Sequence, residues 1–272
     1  MKKLIVLMLA TIIGLGTISG CSNASEKEKT QLIVLEESLS PEEYAIAFKK
    51  GNTQLHNAVM SAFDEIIANG QAAEISTKWF GKDIVMKGDA VEKASFPEGK
   101  TTFIMGLDDS FPPMGFRDEN NEIVGFDIDM AKAVCDKLGV ELVLQPINWA
   151  TKELELSSGK IDCIWNGLTR TAEREEEMLL SRSYLKNNQV IVVNSTSKIT
   201  DKNELKDKKV GVQTGSSAEE ALSKDAISNE LNQVVQYDDN VTALQDLKLG
   251  RIDAVVLDEV VARYYVSIEN SK

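Results

Sequence analysis

One histidine, His56, and three cysteines, Cys21, Cys135 and Cys163, are the only imidazole and thiol groups in 272 residues. With a single imidazole there is no two-histidine metal site and no histidine to spare for activating a distant nucleophile. Three cysteines make neither a disulfide framework nor a zinc cluster. Cys135 falls on a helix face near Ala131 and Cys163 within a strand, where small buried hydrophobes are expected rather than reactive thiols. His56 lies beside Leu55 and off the apolar stripe of its helix, so a solvated position is expected. Lys and Arg total 30 against 43 Asp and Glu, a formal net charge of −13. That balance argues against nucleic acid as a partner, because phosphate binding needs clustered cations. What remains is recognition by charge and hydrogen bond. Ser216 and Ser217 stand at an expected helix start, where N–H and hydroxyl groups can meet a carboxylate or simply cap the helix.

The elements that carry these residues alternate. Strands are expected at 102–107, 141–147, 161–165, 190–193, 210–212, 234–237 and 252–257. Helices are expected at 127–138, 151–157, from Thr171, and around Glu219, Leu244 and Val261. Asp127 and Asp129 near one helix start, with Gly139 past its end, are ordinary boundary signals. Such alternation argues for an α/β fold with mostly parallel sheets. Residues 158–165 and 249–256 echo each other: a helix end, a glycine, a cation, Ile-Asp and an apolar strand running out into polar residues. In open α/β sheets, ligands bind beyond the carboxyl ends of such strands. Earlier in the chain, strands are expected at 32–35 and 44–48. Helix 53–68 carries Leu55, Val59, Phe63, Ile66 and Ile67 on one face and ends at Asn69-Gly70. Helix 71–80 turns Ile75 and Trp79 inward and stops at Gly81.

The first residues read as an address. Lys2 and Lys3 precede an apolar run at 4–10 that is too short to span a membrane comfortably. Ile18-Ser19-Gly20-Cys21 resembles a bacterial lipobox, which implies cleavage before Cys21 and its lipidation. Residues 22–30 are polar and read as a flexible tether. Anchoring on the extracytoplasmic face of a cell membrane is the expected location.

The body carries a family resemblance. Residues 104–116 (IMGLDDSFPPMGF), 125–131 (GFDIDMA), 159–162 (GKID), 167–174 (GLTRTAER), 211–217 (GVQTGSS) and 253–259 (DAVVLDE) follow one another as in bacterial extracellular amino-acid-binding proteins of ABC importers, solute-binding protein family 3. The resemblance implies an α/β, two-lobed type II periplasmic-binding-protein fold, with two hinge crossings and ligand between the lobes. One feature departs from the family. Residues 31–87, including Tyr44 to Lys50 and Ile75 to Gly81, resemble the family's C-terminal end. A circular permutation is the expectation, with the old termini joined at about 87–100. A truncated chain with an unrelated N-terminal segment is the alternative. Residues 49–187 would form lobe 1, and 31–48 with 188–272 would form lobe 2. The crossings would fall near Lys49 and near 186–189.

The resemblance also implies a site. A free amino acid brings a carboxylate and an ammonium, and burying either unpaired is costly. Arg174 matches the family's carboxylate ligand, and a guanidinium can hold two oxygens at once. Thr169 matches its hydroxyl ligand, with Gly167 adjacent, and Asp258 matches its acceptor for the ammonium. Ser216 and Ser217 would meet the carboxylate at their helix start. Phe111 and Trp149 match positions flanking the ligand, with Phe116 as a further wall. Asp108, ahead of Asp109, would accept from the ligand's side chain, and Asn166 and Arg170 would add polarity. Asp108 suits a cationic or amide side chain and Arg170 an acidic or amide one; the lean is to a polar uncharged amino acid such as glutamine or cystine. No cofactor, metal or catalysis is expected. A monomer is expected, with a membrane permease as partner. A ligand-sensing module and a dehydratase-like enzyme of the same fold are the other readings.

Overall fold

A computed structural model describes residues 31–89 and 91–270. The address segment, Cys21 and the tether lie outside the described residues. Two five-stranded sheets form the frame.

The first sheet holds, in spatial order, β7 (Glu141–Pro146), β3 (Thr102–Leu107), β8 (Cys163–Ile164), β2 (Ala47–Lys49) and β9 (Met178–Leu180). Side chains alternate across it, as the pleat dictates. Phe48, Cys163, Phe103 and Met105 pack on one side with α1 (Thr53–Ala68), α2 (Gln71–Phe80) and α3 (Phe126–Leu138). Ala47 and Ile164 pack on the other with Leu156 of α4 (Lys152–Ser158). Helix α1 buries Leu55, Val59, Phe63 and Ile66, the expected stripe.

The second sheet runs β1 (Leu32–Tyr44), β10 (Leu185–Asn194), β13 (Ala254–Asp258), β11 (Lys209–Gln213) and β12 (Gln233–Tyr237). Ile191, Val193, Val210, Val212, Ala254 and Val256 pack with α6 (Ser217–Lys224). Val190, Val192, Val255 and Leu257 pack with α7 (Asn240–Lys248) and α8 (Glu259–Asn270). A small sheet of β4 (Ser110–Phe111), β5 (Gly115–Arg117) and β6 (Ile123–Val124) follows β3, and α5 (Ala172–Glu177) follows β8. Among the described residues no helix is long and apolar enough to cross a membrane.

Three expectations need correction. The sheets are mixed, not mostly parallel: β2 runs antiparallel to β8 and β9, and β10 antiparallel to β1 and β13. The strands that pass between the sheets enter each from the opposite side, which reverses their direction. Second, residues 32–44 form one long strand rather than a short one at 32–35 separate from another at 44–48. Its polar middle pairs through the backbone with β10, across register shifts near Ser38. Third, the passages between sheets lie nearer 44–47 and 181–185 than Lys49 and 186–189. Ala47 already pairs with both Ile164 and Leu180, so Ala47 and Phe48 belong to the first lobe. At the passage itself, Tyr184 N–H donates to Tyr44 O at 2.9 Å and Ser181 N–H to Ile46 O at 2.8 Å.

The sequence echo is a structural one. Asp162 Oδ2 accepts from Ile104 N–H at 2.8 Å, and Asp253 Oδ2 accepts from Lys209 N–H at 2.8 Å. The preceding isoleucine packs over a strand glycine in both lobes. A Cβ on Gly106 would lie 2.4 Å from Ile161 Cδ1, and one on Gly211 would lie 2.7 Å from Ile252 Cδ1. In each lobe a side chain in place of the glycine would force its isoleucine to shift.

Candidate functional site

The repeated unit delivers strand ends to a common place. Beyond β3 stands Asp108, beyond β8 Asn166, Gly167 and Thr169, beyond β11 Gln213 to Ser217, and β13 ends in Asp258. With Phe111, Trp149 and Arg174 these residues line a nearly closed cavity of about 10 Å³ between the lobes.

Helix α5 presents Arg174. Thr171 caps the helix, its hydroxyl accepting from Arg174 N–H at 3.3 Å. Arg174 is 7% exposed, and its guanidinium donates to Thr169 O at 2.7 Å. It is in no ion pair among the described residues. A cation so enclosed is suited to an anion, since leaving it unpaired is costly. Thr169 Oγ1 lies 2.9 Å from both Ser217 Oγ and Glu42 Oε2. Glu42 can only accept, and a hydroxyl has one proton. Thr169 therefore donates to Glu42, and Ser217 donates to Thr169. Ser217 Oγ accepts in turn from Gln189 Nε2 at 3.1 Å. Capping of α6 falls to Ser216, whose hydroxyl accepts from Glu219 N–H at 3.2 Å. The Ser217 hydroxyl is thereby left to face the cavity.

Asp258 is 4% exposed and accepts from the Tyr44 phenol at 2.6 Å and Asn187 Nδ2 at 2.9 Å. Burial, and then the charge of Glu42, hold its carboxyl well above the usual carboxylate range. Asp108 accepts from Ser110 N–H at 2.9 Å, from the Ser110 hydroxyl at 2.5 Å and from Gln213 Nε2 at 2.7 Å. Burial raises its pKa against the opposing effect of these donors. Asn166 accepts from Asp108 N–H at 2.9 Å, and its own Nδ2 has no partner. Gly167 has a φ of 60°, and a Cβ there would lie 2.9 Å from the Phe111 ring. Only glycine lets that ring close over the cavity.

Ten of the expected residues thus converge: Arg174, Asp258, Thr169, Ser217, Ser216, Gly167, Phe111, Trp149, Asp108 and Asn166. Two do not. Arg170 follows Thr169 on extended chain, so it points to the opposite face. It is exposed, pairing with Glu175 at 2.6 Å and donating to Ser181 O at 2.7 Å. Phe116 sits edge-on to Trp79 and against Tyr264, outside the cavity. His56 is half-buried rather than solvated, edge-on to Phe48. Cys135 and Cys163 are buried. Burial pushes the Cys135 thiol up to about 12 and that of Cys163 well above its ordinary value.

Several participants escaped the sequence reading. Gln213 sits inside the 211–217 motif, in which only Ser216 and Ser217 were singled out. Asn187 and Gln189 alternate on one face of β10, and two buried amides at i and i+2 were the available signal. Lys152, 2% exposed, donates to Gly215 O of the other lobe at 2.9 Å and pairs with Glu153.

A family model described as "Bacterial extracellular solute-binding proteins, family 3" matches residues 17–82 and 103–246. The chain belongs to this family. This family-3 protein thus shares its ancestry with binding proteins rather than enzymes, and its fold is that of the type II periplasmic amino-acid-binding proteins. It is 33% identical over 163 residues to the L-cystine-binding protein TcyJ of Escherichia coli K12, covering 59% of this chain and 60% of that one. The match thus spans less than two thirds of that relative. A solved ABC uptake transporter substrate-binding protein from Streptococcus pneumoniae with bound histidine gives a TM-score of 0.61 at 40% identity, covering 62% of this chain and 71% of that one. An ancestral arginine-binding protein bound to arginine gives 0.60 at 42% identity, covering 63% and 76%.

Proposed function

We propose that the protein is the lipid-anchored substrate-binding component of an ABC importer, capturing a polar amino acid between its lobes by hinge closure. The observation that carries this reading is one cavity walled by both halves of a zwitterion receptor. Arg174, without a carboxylate partner, faces it from one lobe and Asp258 from the other. A zwitterion meets both only when the lobes are together, so ligand favours the closed state.

Side-chain selection follows from the opposite end. Asp108 is a buried acid whose protein partners are all uncharged donors. With Arg170 turned outward, the case for an acidic ligand loses its residue. A side chain that donates hydrogen bonds suits the pocket best: the guanidinium of arginine or the amide of glutamine, between Phe111 and Trp149. Cystine, named in the TcyJ relative, is the further candidate.

The permuted order is part of the proposal. The family match comes in two blocks, and the break at 83–102 overlaps the expected joint. Strand β2, from the early segment, sits between β8 and β9. Cys21 would carry the lipid, and the tether would leave from the second lobe.

The test is thermal unfolding of residues 22–272 against each amino acid and cystine. A ligand at a hundred times its Kd stabilises by about 2.7 kcal/mol if it binds only the folded state. A clear hit that is lost in Arg174→Ala is expected. A folded protein with no hit overturns the reading.

A further inference from the structure

Glu42 lies on β1 opposite Asn187 in register, where the chain nears its passage to the first lobe. It is half-buried outside the lining of the cavity, joined by hydrogen bonds to Thr169 and, through Asn187, to Asp258, which do line it. Asn187 Nδ2 is 2.5 Å from Glu42 Oε1 and 2.9 Å from Asp258 Oδ1, so one amide nitrogen holds two carboxyl groups side by side. Gln189 Nε2 adds a bond to Glu42 at 2.9 Å, and the Thr169 hydroxyl adds another at 2.9 Å from across the cleft.

The groups facing this pair come from every packed element. They are Tyr44 of β1, Asn187 and Gln189 of β10, Thr169 beyond β8 and Ser217 at the start of α6. All are neutral donors. Arg174, from α5, meets this network only at Thr169 O, to which its guanidinium donates. Neither acid is in an ion pair among the described residues. Two close acids without a cation do not both ionise; one keeps a proton. Burial and the Glu42 charge place that proton on Asp258.

We propose that Glu42 and Asp258 together form a two-carboxylate receptor for the ligand's ammonium group, which displaces the proton held between them. The balance is simple. The ammonium keeps its three protons, Asp258 releases one to solvent, and both acids then face one cation. Affinity must fall as pH falls, because acid restores the proton that the ammonium has to displace. This inference rests on the amino-acid-binding reading above.

The experiment is calorimetric titration of residues 22–272 with L-arginine and L-glutamine, in phosphate and in Tris, from pH 5.5 to 8.5. The two buffers differ in ionisation enthalpy, so the pair of runs counts released protons. Wild type is expected to release up to one proton per ligand. Glu42→Gln is expected to release fewer and to bind about tenfold more weakly at pH 8.5, the gap narrowing towards pH 5.5. No proton release by wild type, or Glu42→Gln affinity within twofold at every pH, overturns the proposal. If Glu42→Gln does not melt cooperatively, the wild-type proton count decides alone. If neither amino acid binds, it is the choice of ligand that has failed. The carboxyl NMR titration of ligand-free protein then decides: Asp258 should titrate lower in Glu42→Gln than in wild type, and equal midpoints sink the two-acid receptor.

Discussion

Asp108 Oδ2 accepts a hydrogen bond from Gln213 Nε2 at 2.7 Å, and the two residues belong to different lobes. Gln213 is itself held by Asn240 Nδ2 at 3.1 Å and donates to Asp238 O at 3.0 Å. The end of the cavity that reads the ligand's side chain therefore exists only when the lobes meet. Asp108→Asn should weaken arginine binding by about 1.5–3 kcal/mol, the range for a charge-assisted hydrogen bond. Glutamine should lose less. Calorimetry with both ligands measures the difference, and an equal loss would make Asp108 a closure contact rather than a selector.

Arg174→Ala should cost about 2–5 kcal/mol of amino-acid affinity, because the ligand's carboxylate would then be buried without its cation. The ligand-free melting temperature should move little, since one hydrogen bond to Thr169 O is lost. Differential scanning fluorimetry with and without ligand separates the two effects. Near-normal affinity would remove Arg174 from the site.

Asp127 caps no pocket but governs one. Its Oδ2 accepts from Gly167 N–H at 2.8 Å and from the Tyr184 phenol at 2.9 Å, tying the cavity loop to the interlobe passage. Burial pushes its carboxyl up to about 7. Between about pH 4 and 7 the folded chain holds a proton there that the unfolded chain has released. Stability should therefore be highest at the acid end of that window and fall as pH rises, by at most about 1.4 kcal/mol per unit from this group. Denaturant melts of wild type and Asp127→Asn across pH 4–8 check the sign. The variant should show a flatter profile, and parallel profiles would contradict the assignment.

The thiols of Cys135 and Cys163 should resist alkylation in the native protein at pH 8 and react fully in denaturant. Mass spectrometry after a brief iodoacetamide pulse, in a chain carrying Cys21→Ser, counts them. Rapid native labelling at either would mean the core around it opens.

Gly106→Ala should destabilise the first lobe by about 1–3 kcal/mol through overpacking against Ile161. Ile161→Val removes the Cδ1 that the new methyl meets. The double variant should be more stable than the sum of the two single losses predicts. Strict additivity in a denaturant double-mutant cycle would show that the isoleucine simply moves aside.

Local signals were legible where they were self-sufficient. Helices α1 and α2 begin and end at the expected residues because an apolar stripe and Asn69-Gly70 or Gly81 lie within their own sequence. Strand β1 was half-hidden because the stretch from Glu36 to Glu43 is rich in glutamate and serine, and only backbone pairing with a segment some 150 residues away makes it a strand. Strand β8 proved shorter than read because the Asp162 side chain replaces a ladder bond. The site divides the same way. Residues at strand ends could be matched to a family pattern one by one. Arg170 was misjudged because neighbours in extended chain face opposite ways, and Phe116 because its ring packs with Trp79 and Tyr264 instead. Gln213 and Glu42 owe their roles to partners brought from the other lobe or the neighbouring strand, and no local pattern announces such a meeting; Asn187 left only its i, i+2 spacing with Gln189.

The position of the long first strand also sets a timetable. Everything the first sheet needs, from Ala47 to Leu180, is contiguous in the chain. The second sheet needs both extremities, since Leu32 pairs with Asn194 and β13 ends only at Asp258. As the polypeptide grows from its N-terminus, one lobe can finish while its sister still holds a single strand waiting for partners not yet made. A pause in synthesis near residue 184 would leave a half-built molecule with one folded lobe, a dangling first strand and no ligand site.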